Sequence, residues 1–99
     1  MKYRVRYTKG AREDLLRLYR FLVENDPEAA QKALDAIRKS IALLEDFPFT
    51  CRKASPDNPF LREMVISFGS GGYVALFEVE ADNYLTVLAV RHQREEDFY

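Results

Sequence analysis

Apolar and polar positions change period along the 99-residue chain, and the changes mark its elements. Residues 3–7, YRVRY, set Tyr3, Val5 and Tyr7 against Arg4 and Arg6, the period of a strand with one wet face. Thr8 then offers an N-cap, and Ala11, Leu15, Leu18 and Leu22 fall on one stripe of a helix that ends near Asn25. Asp26-Pro27 predicts a second helix start, because Asp accepts from orphan amides and proline at the first helical position gives up no needed hydrogen bond. Ala30, Leu34, Ile37, Ile41 and Leu44 form its buried stripe. Phe47-Pro48 ends it, since the residue before a proline is pushed out of helical geometry. So short a gap between the helices makes them an antiparallel hairpin. Residues 49–59, FTCRKASPDNP, read as a loop. Strands are predicted at 60–68, 73–80 and 84–91, joined by the GSGG turn and by Asp82-Asn83, and such short connections require an antiparallel meander.

The order β-α-α-β-β-β predicts one α+β domain over residues 1–99, an antiparallel sheet with the helical hairpin packed on one face. The last strands are apolar on both sides. Tyr73, Ala75, Phe77 and Val79 alternate with Val74 and Leu76, and Leu85, Val87 and Ala89 oppose Leu88 and Val90. Two helices cover one face only, so a greasy sheet surface is expected to remain. Either the 49–59 loop and the C-terminal tail fold over it, or a partner does; a partner is the expectation.

Composition narrows the function. An apolar fraction of 47% fits a globular chain, and 15 basic against 16 acidic side chains weigh against a general polyanion binder. The start, MKYRVRY, has no apolar leader core, and no apolar run reaches membrane-spanning length, so a cytoplasmic protein without membrane contact is expected. One Cys and one His give neither a disulfide nor metal-ligand spacing, so no metal or cofactor is expected, and Cys51 reads as a passive thiol. The remaining question is the polar run VRHQREEDFY at residues 90–99, which places His92 between two arginines and ahead of three carboxylates. It reads as a catalytic edge or a docking edge.

The Leu61-Arg62-Glu63 start of one strand, the Gly72-Tyr73 start of the next and the Val90-Arg91-His92-Gln93-Arg94-Glu95 end of the last, with Ala11, Asp14 and Leu15 in the first helix, make nearly the whole chain resemble a known group. It resembles the RelE/ParE superfamily of bacterial toxins from type II toxin–antitoxin (plasmid stabilisation) modules. That resemblance implies a toxin neutralised by a cognate antitoxin in a hetero-oligomer. It also implies one of two activities on one scaffold: inhibition of DNA gyrase, as in the ParE branch, or ribosome-dependent mRNA cleavage, as in the RelE branch. Metal-free RNA cleavage needs a base, an acid and cations on the phosphate. His92, Arg62 and Arg91, with Arg52 or Lys53, are the residues available for that. RelE-type nucleases carry a strongly basic face, often with an arginine in the third strand, where Val74 sits here. The near-neutral chain and its acidic Glu95-Glu96-Asp97 run favour the ParE-like branch, with no catalysis of its own. Arg62, Arg91, His92, Arg94, Glu95, Phe98 and Tyr99 are then the expected contacts with target or antitoxin. Arg62 has a structural alternative in pairing with Glu63 or the tail, and His92 in a hydrogen bond to nearby backbone. A third reading is an inactive member that retains antitoxin binding.

Overall fold

The two periods become two layers. In the computed structural model, which describes residues 2–69 and 71–94, strand β1 (Arg4–Tyr7) is followed by helices α1 (Lys9–Val23) and α2 (Pro27–Leu43). Strands β2 (Arg52–Ser55), β3 (Asn58–Phe68), β4 (Gly71–Val79) and β5 (Tyr84–His92) complete the chain. Both helix starts follow the sequence: the Thr8 hydroxyl accepts from the Ala11 amide at 3.1 Å, and Asp26 accepts from the Ala29 amide at 3.2 Å. Asp82 and Asn83, at φ of 60° and 62°, form the tight turn between β4 and β5. Among the described residues no helix is long and apolar enough to cross a membrane.

The sheet runs β1-β5-β4-β3-β2, with the hairpin of helices packed on one face. The α+β architecture and the antiparallel β3-β4-β5 meander are as the sequence predicts, and two features differ. Part of the expected loop is the edge strand β2, paired with β3 across the Pro56-Asp57 turn. Its sequence, RKAS, has no apolar alternation; the order comes from the β3 edge and from Arg52, whose Nε lies 3.2 Å from Glu63 Oε1. The sheet is also mixed, because β1 lies parallel to β5, a pairing for which the intervening helices supply the long crossover.

A register shift in β5 corrects the expected division of faces. Ala75 pairs with Val90 and Leu76 with Ala89, but Phe77 pairs with Val87, so Leu88 is an extra residue on β5. Beyond this bulge the side-chain phase reverses. Leu85, Val87, Val90 and His92 therefore share the helical side with Tyr73, Ala75, Phe77 and Val79, while Ala89 and Arg91 join Val74 and Leu76 on the other. The helical side holds the core, in which Phe77, Leu85, Val87 and Val90 meet Leu18, Ile37, Ile41 and Leu44. The opposite face is not the greasy surface expected. Val74 and Ala89 are buried, Glu63 and Arg91 lie near them on this face with Arg6 and Glu78 farther along it, and Val65 is the large apolar side chain that the described residues expose there. The other large exposed apolar side chains lie on the helices (Leu16, Phe21, Leu43), in the turn after α2 (Phe47, Phe49) and at the start of β3 (Phe60).

Candidate functional site

A groove of about 720 Å³ opens between the second half of α1 and the end of the sheet where β3 turns into β4. Leu18, Phe21 and Leu22 form the helical wall, and Phe68, Tyr73 and His92 the sheet wall. The bulge at Leu88 is what brings His92 here, by turning it to the helical side. Its ring meets Tyr73 edge to face, centroids 5.6 Å apart. Gly71 lets the imidazole lie close, since a Cβ there would sit 3.3 Å from the ring. Gly72 is needed for a stricter reason: a Cβ would collide with the Ile66 carbonyl oxygen of the paired strand.

The Arg94 amide donates to His92 Nδ1 at 3.1 Å, so the neutral ring carries its proton on Nε2. The Gln93 amide donates to the Gly72 carbonyl at 2.9 Å, which prolongs the β4–β5 pairing past His92. Among the described residues, the charged side chains lining the groove are cations, Arg17 and Arg94. Burial raises the pKa of Tyr73 above its ordinary 10.0, keeping the phenol neutral beside them. The groove thus presents an apolar floor, 69% exposed at Phe21, under a cationic rim.

Behind it lies Asp14, 4% exposed on α1. Strand β1 ends at Tyr7, opposite Val87, so past that point β5 has no strand neighbour on this side among the described residues. Side chains and helix-start backbone replace it. The Thr8 amide donates to the Val87 carbonyl, the Thr8 hydroxyl donates to the Leu88 carbonyl at 3.1 Å, and Asp14 Oδ2 accepts from the Val90 amide at 2.9 Å. Asp14 Oδ1 lies 3.8 Å from Arg17, so one carboxylate joins a groove-lining arginine to strand β5.

The other expected site residues are dispersed. Arg62 shares the helical side with His92 but pairs with Phe77, four residues from Tyr73, roughly 13 Å away along the strand direction. Its guanidinium donates to the carbonyls of Pro59 at 2.7 Å, Cys51 at 2.8 Å and Phe49 at 3.4 Å, and covers the Phe49 ring. The Glu63 that might have paired with it is on the other face, bound by Arg52. Arg91 also lies on the other face, opposite Val74. Lys53, on the helical side, is exposed on the edge strand. Burial raises the Cys51 thiol pKa, with the nearby Arg62 acting in the opposite sense, which suits a passive thiol. Glu95, Phe98 and Tyr99 lie outside the described residues. Arg17 and Phe21 were not expected; the available signal was an aromatic on the flank of the α1 stripe beside an arginine one turn earlier.

Comparison with known proteins gives a consistent family. Residues 5–97 match the model of a family described as the ParE toxin of the type II toxin–antitoxin system parDE. The chain is similar to Toxin RelE3 of Caulobacter vibrioides, 34% identical over 85 residues that cover 86% of this chain and 88% of that protein. Its fold resembles a chain of a chromosomal ParDE toxin–antitoxin system from P. aeruginosa, with a TM-score of 0.74 at 21% identity, covering 92% of this chain and 96% of that one. It also resembles a chain of the RelBE2 toxin–antitoxin complex of Mycobacterium tuberculosis, with a TM-score of 0.62 at 19% identity, covering 94% and 100%.

Proposed function

From the premise that this chain belongs to the ParE toxin family of type II toxin–antitoxin systems, within the RelE/ParE superfamily, we propose that it inhibits DNA gyrase by binding. It performs no covalent chemistry, and a cognate antitoxin neutralises it. The observation that carries this reading is that Arg62 and Arg91, the cations expected to act with His92, do not converge on it, while Arg17 beside it faces the Asp14 carboxylate 3.8 Å away. Arg62 is committed to three backbone carbonyls, Arg91 lies on the opposite sheet face, and His92 stands at the other end of the sheet from Arg62. Phosphate-charge stabilisation depends on donors converging on one point. The antitoxin contributes an amphipathic segment, apolar on one side and acidic on the other, which lies in the groove against Phe21 and Tyr73 with its carboxylates toward Arg17 and Arg94.

Similarity to a protein called RelE3 keeps one rival reading, ribosome-dependent mRNA cleavage with His92 as acid or base. Purified chain added to a gyrase supercoiling reaction, and separately to a coupled translation extract, distinguishes them. Inhibition of supercoiling is expected, retained within a few-fold by His92→Ala. Codon-dependent mRNA cuts that fall by roughly 10²- to 10⁴-fold in that variant would establish the rival instead.

A further inference from the structure

On the other flank of α1, a second hollow of about 540 Å³ opens between the two helices. Leu16 and Tyr19 of α1 stand opposite Leu34 of α2, and Tyr7, the last residue of β1, borders the end at which α1 starts. Among the described residues, the charged side chains that line this hollow are Arg12 and Arg38. Arg12 is eleven residues before the end of α1 at Val23, and Arg38 eleven residues after the start of α2 at Pro27, so in an antiparallel hairpin each stands roughly 16 Å from the turn. The two arginines are therefore level with each other across the hollow. Neither has an ion pair among the described residues, and the acids nearest them in sequence are engaged elsewhere: Glu13 lies 4.0 Å from Lys9, and Asp35 accepts from Gln31 at 3.2 Å. The Tyr7 and Tyr19 hydroxyls likewise make no hydrogen bond among the described residues. Burial raises the Tyr7 pKa against the opposing charge of Arg38, which marks that guanidinium as near the phenol.

Two level guanidiniums beside a phenol, with apolar side chains running on from them, are donors for a carboxylate whose carrier has an apolar flank. The trough extends about two helical turns, roughly 10 Å from Arg12 to Tyr19, and Leu16 within it is 48% exposed. We propose that it receives an amphipathic helix of a partner protein, with an aspartate or glutamate held between Arg12 and Arg38 and apolar side chains one and two turns along it against Leu16, Tyr19 and Leu34. The occupant is a different segment from the one assigned to the first groove, because α1 stands between the two hollows and lines both. The assignment is independent of whether gyrase is the target.

The test titrates the folded chain with a synthetic helical peptide on an alanine–glutamine frame, carrying one glutamate and leucines four and seven positions after it, and with the same peptide bearing lysine in place of glutamate. NMR follows the rings of Tyr7 and Tyr19 and the methyl groups of Leu16 and Leu34, with Phe21 and Tyr73 as reporters of the first groove. The glutamate peptide is expected to shift the Tyr7, Tyr19, Leu16 and Leu34 signals and to bind there roughly three- to tenfold more tightly than the lysine peptide, a preference that falls as salt is raised. Arg12→Gln and Arg38→Gln alter exposed positions, so the fold should survive them. Each is expected to weaken the glutamate peptide at these reporters by roughly two- to fivefold, while Phe21 and Tyr73 respond as before. Equal binding of the two peptides would make the hollow an ordinary apolar surface, and shifts confined to Phe21 and Tyr73 would remove the site; both outcomes overturn the proposal. So would movement of the Tyr7 and Leu16 signals when the chain alone is concentrated, because the occupant would then be a second copy of this chain.

Discussion

Asp14 fills the place of a missing strand. Its buried carboxylate accepts from the Val90 amide where β1 has ended. Asp14→Ala leaves a buried amide unpaired, and is expected to cost about 1–3 kcal/mol in urea unfolding. Asp14→Asn keeps an acceptor oxygen and should recover part of that loss; equal losses would mean that the charge beside Arg17, not the acceptor, is what counts. Arg62 calls for the opposite correction to first expectation. As a docking cation its removal would leave the fold intact, whereas its three bonds to the carbonyls of Phe49, Cys51 and Pro59 predict that Arg62→Ala lowers stability by about 1–3 kcal/mol and leaves partner binding nearly unchanged. Thermal unfolding beside antitoxin titration separates the two. The sequence marks Arg62 as a charged residue at the mouth of a strand. What it faces depends on the turn at Pro48–Thr50 and on the β2–β3 pairing, which are long-range outcomes that no local pattern contains.

Elements show the same boundary between local and long-range information. Both helix starts were legible, because caps and stripes are local: Thr8 and Asp26 start them, and Leu18, Ile37 and Ile41 bury where the period puts them, although α2 stops at Leu43, short of the end expected at Phe47-Pro48. The Asp82-Asn83 hairpin was legible because only certain residues accept positive φ at adjacent positions. The bulge at Leu88 was not. A run such as YLTVLAV alternates equally well in either phase, and the break appears only when β5 is aligned with β4. That one residue moved Val90 and His92 to the helical side and shifted the candidate site from the open sheet face to the groove. Thr8 ties these elements together, since its hydroxyl both caps α1 and donates to the Leu88 carbonyl at the bulge. Thr8→Ala should therefore cost more than an isolated cap, at the upper end of the usual range of about 0.5–2 kcal/mol. Thr8→Ser should restore most of it. Hydrogen exchange gives the local reading: the Val90 and Gln93 amides should lose protection in Thr8→Ala more than amides in α2 do.

At the scale of the whole molecule, exposed apolar surface has been moved off the open sheet face and onto its ends and helices. The near-neutral composition conceals the cationic rim of the groove, because equal totals of acid and base say nothing about where the charges lie. If the groove beside α1 takes an acidic, amphipathic antitoxin segment, apolar and charged contributions should separate experimentally. Phe21 is largely exposed and contributes little to the core, so Phe21→Ala should leave unfolding nearly unchanged. If Phe21 anchors the bound segment as proposed, its loss should weaken antitoxin binding by about 2 kcal/mol or more, appearing as faster dissociation. Arg17 and Arg94 stand on the rim of the groove. Reversing each to Glu should slow association and reduce its dependence on salt, while affecting dissociation less. Stopped-flow binding at two salt concentrations, with circular dichroism to verify folding, measures both effects. Well-folded Phe21→Ala and Arg17→Glu variants that bind the antitoxin with unaltered kinetics would move its docking surface away from this groove, leaving the other face of α1, with Leu16 exposed between Arg12 and Tyr19, as the place to look.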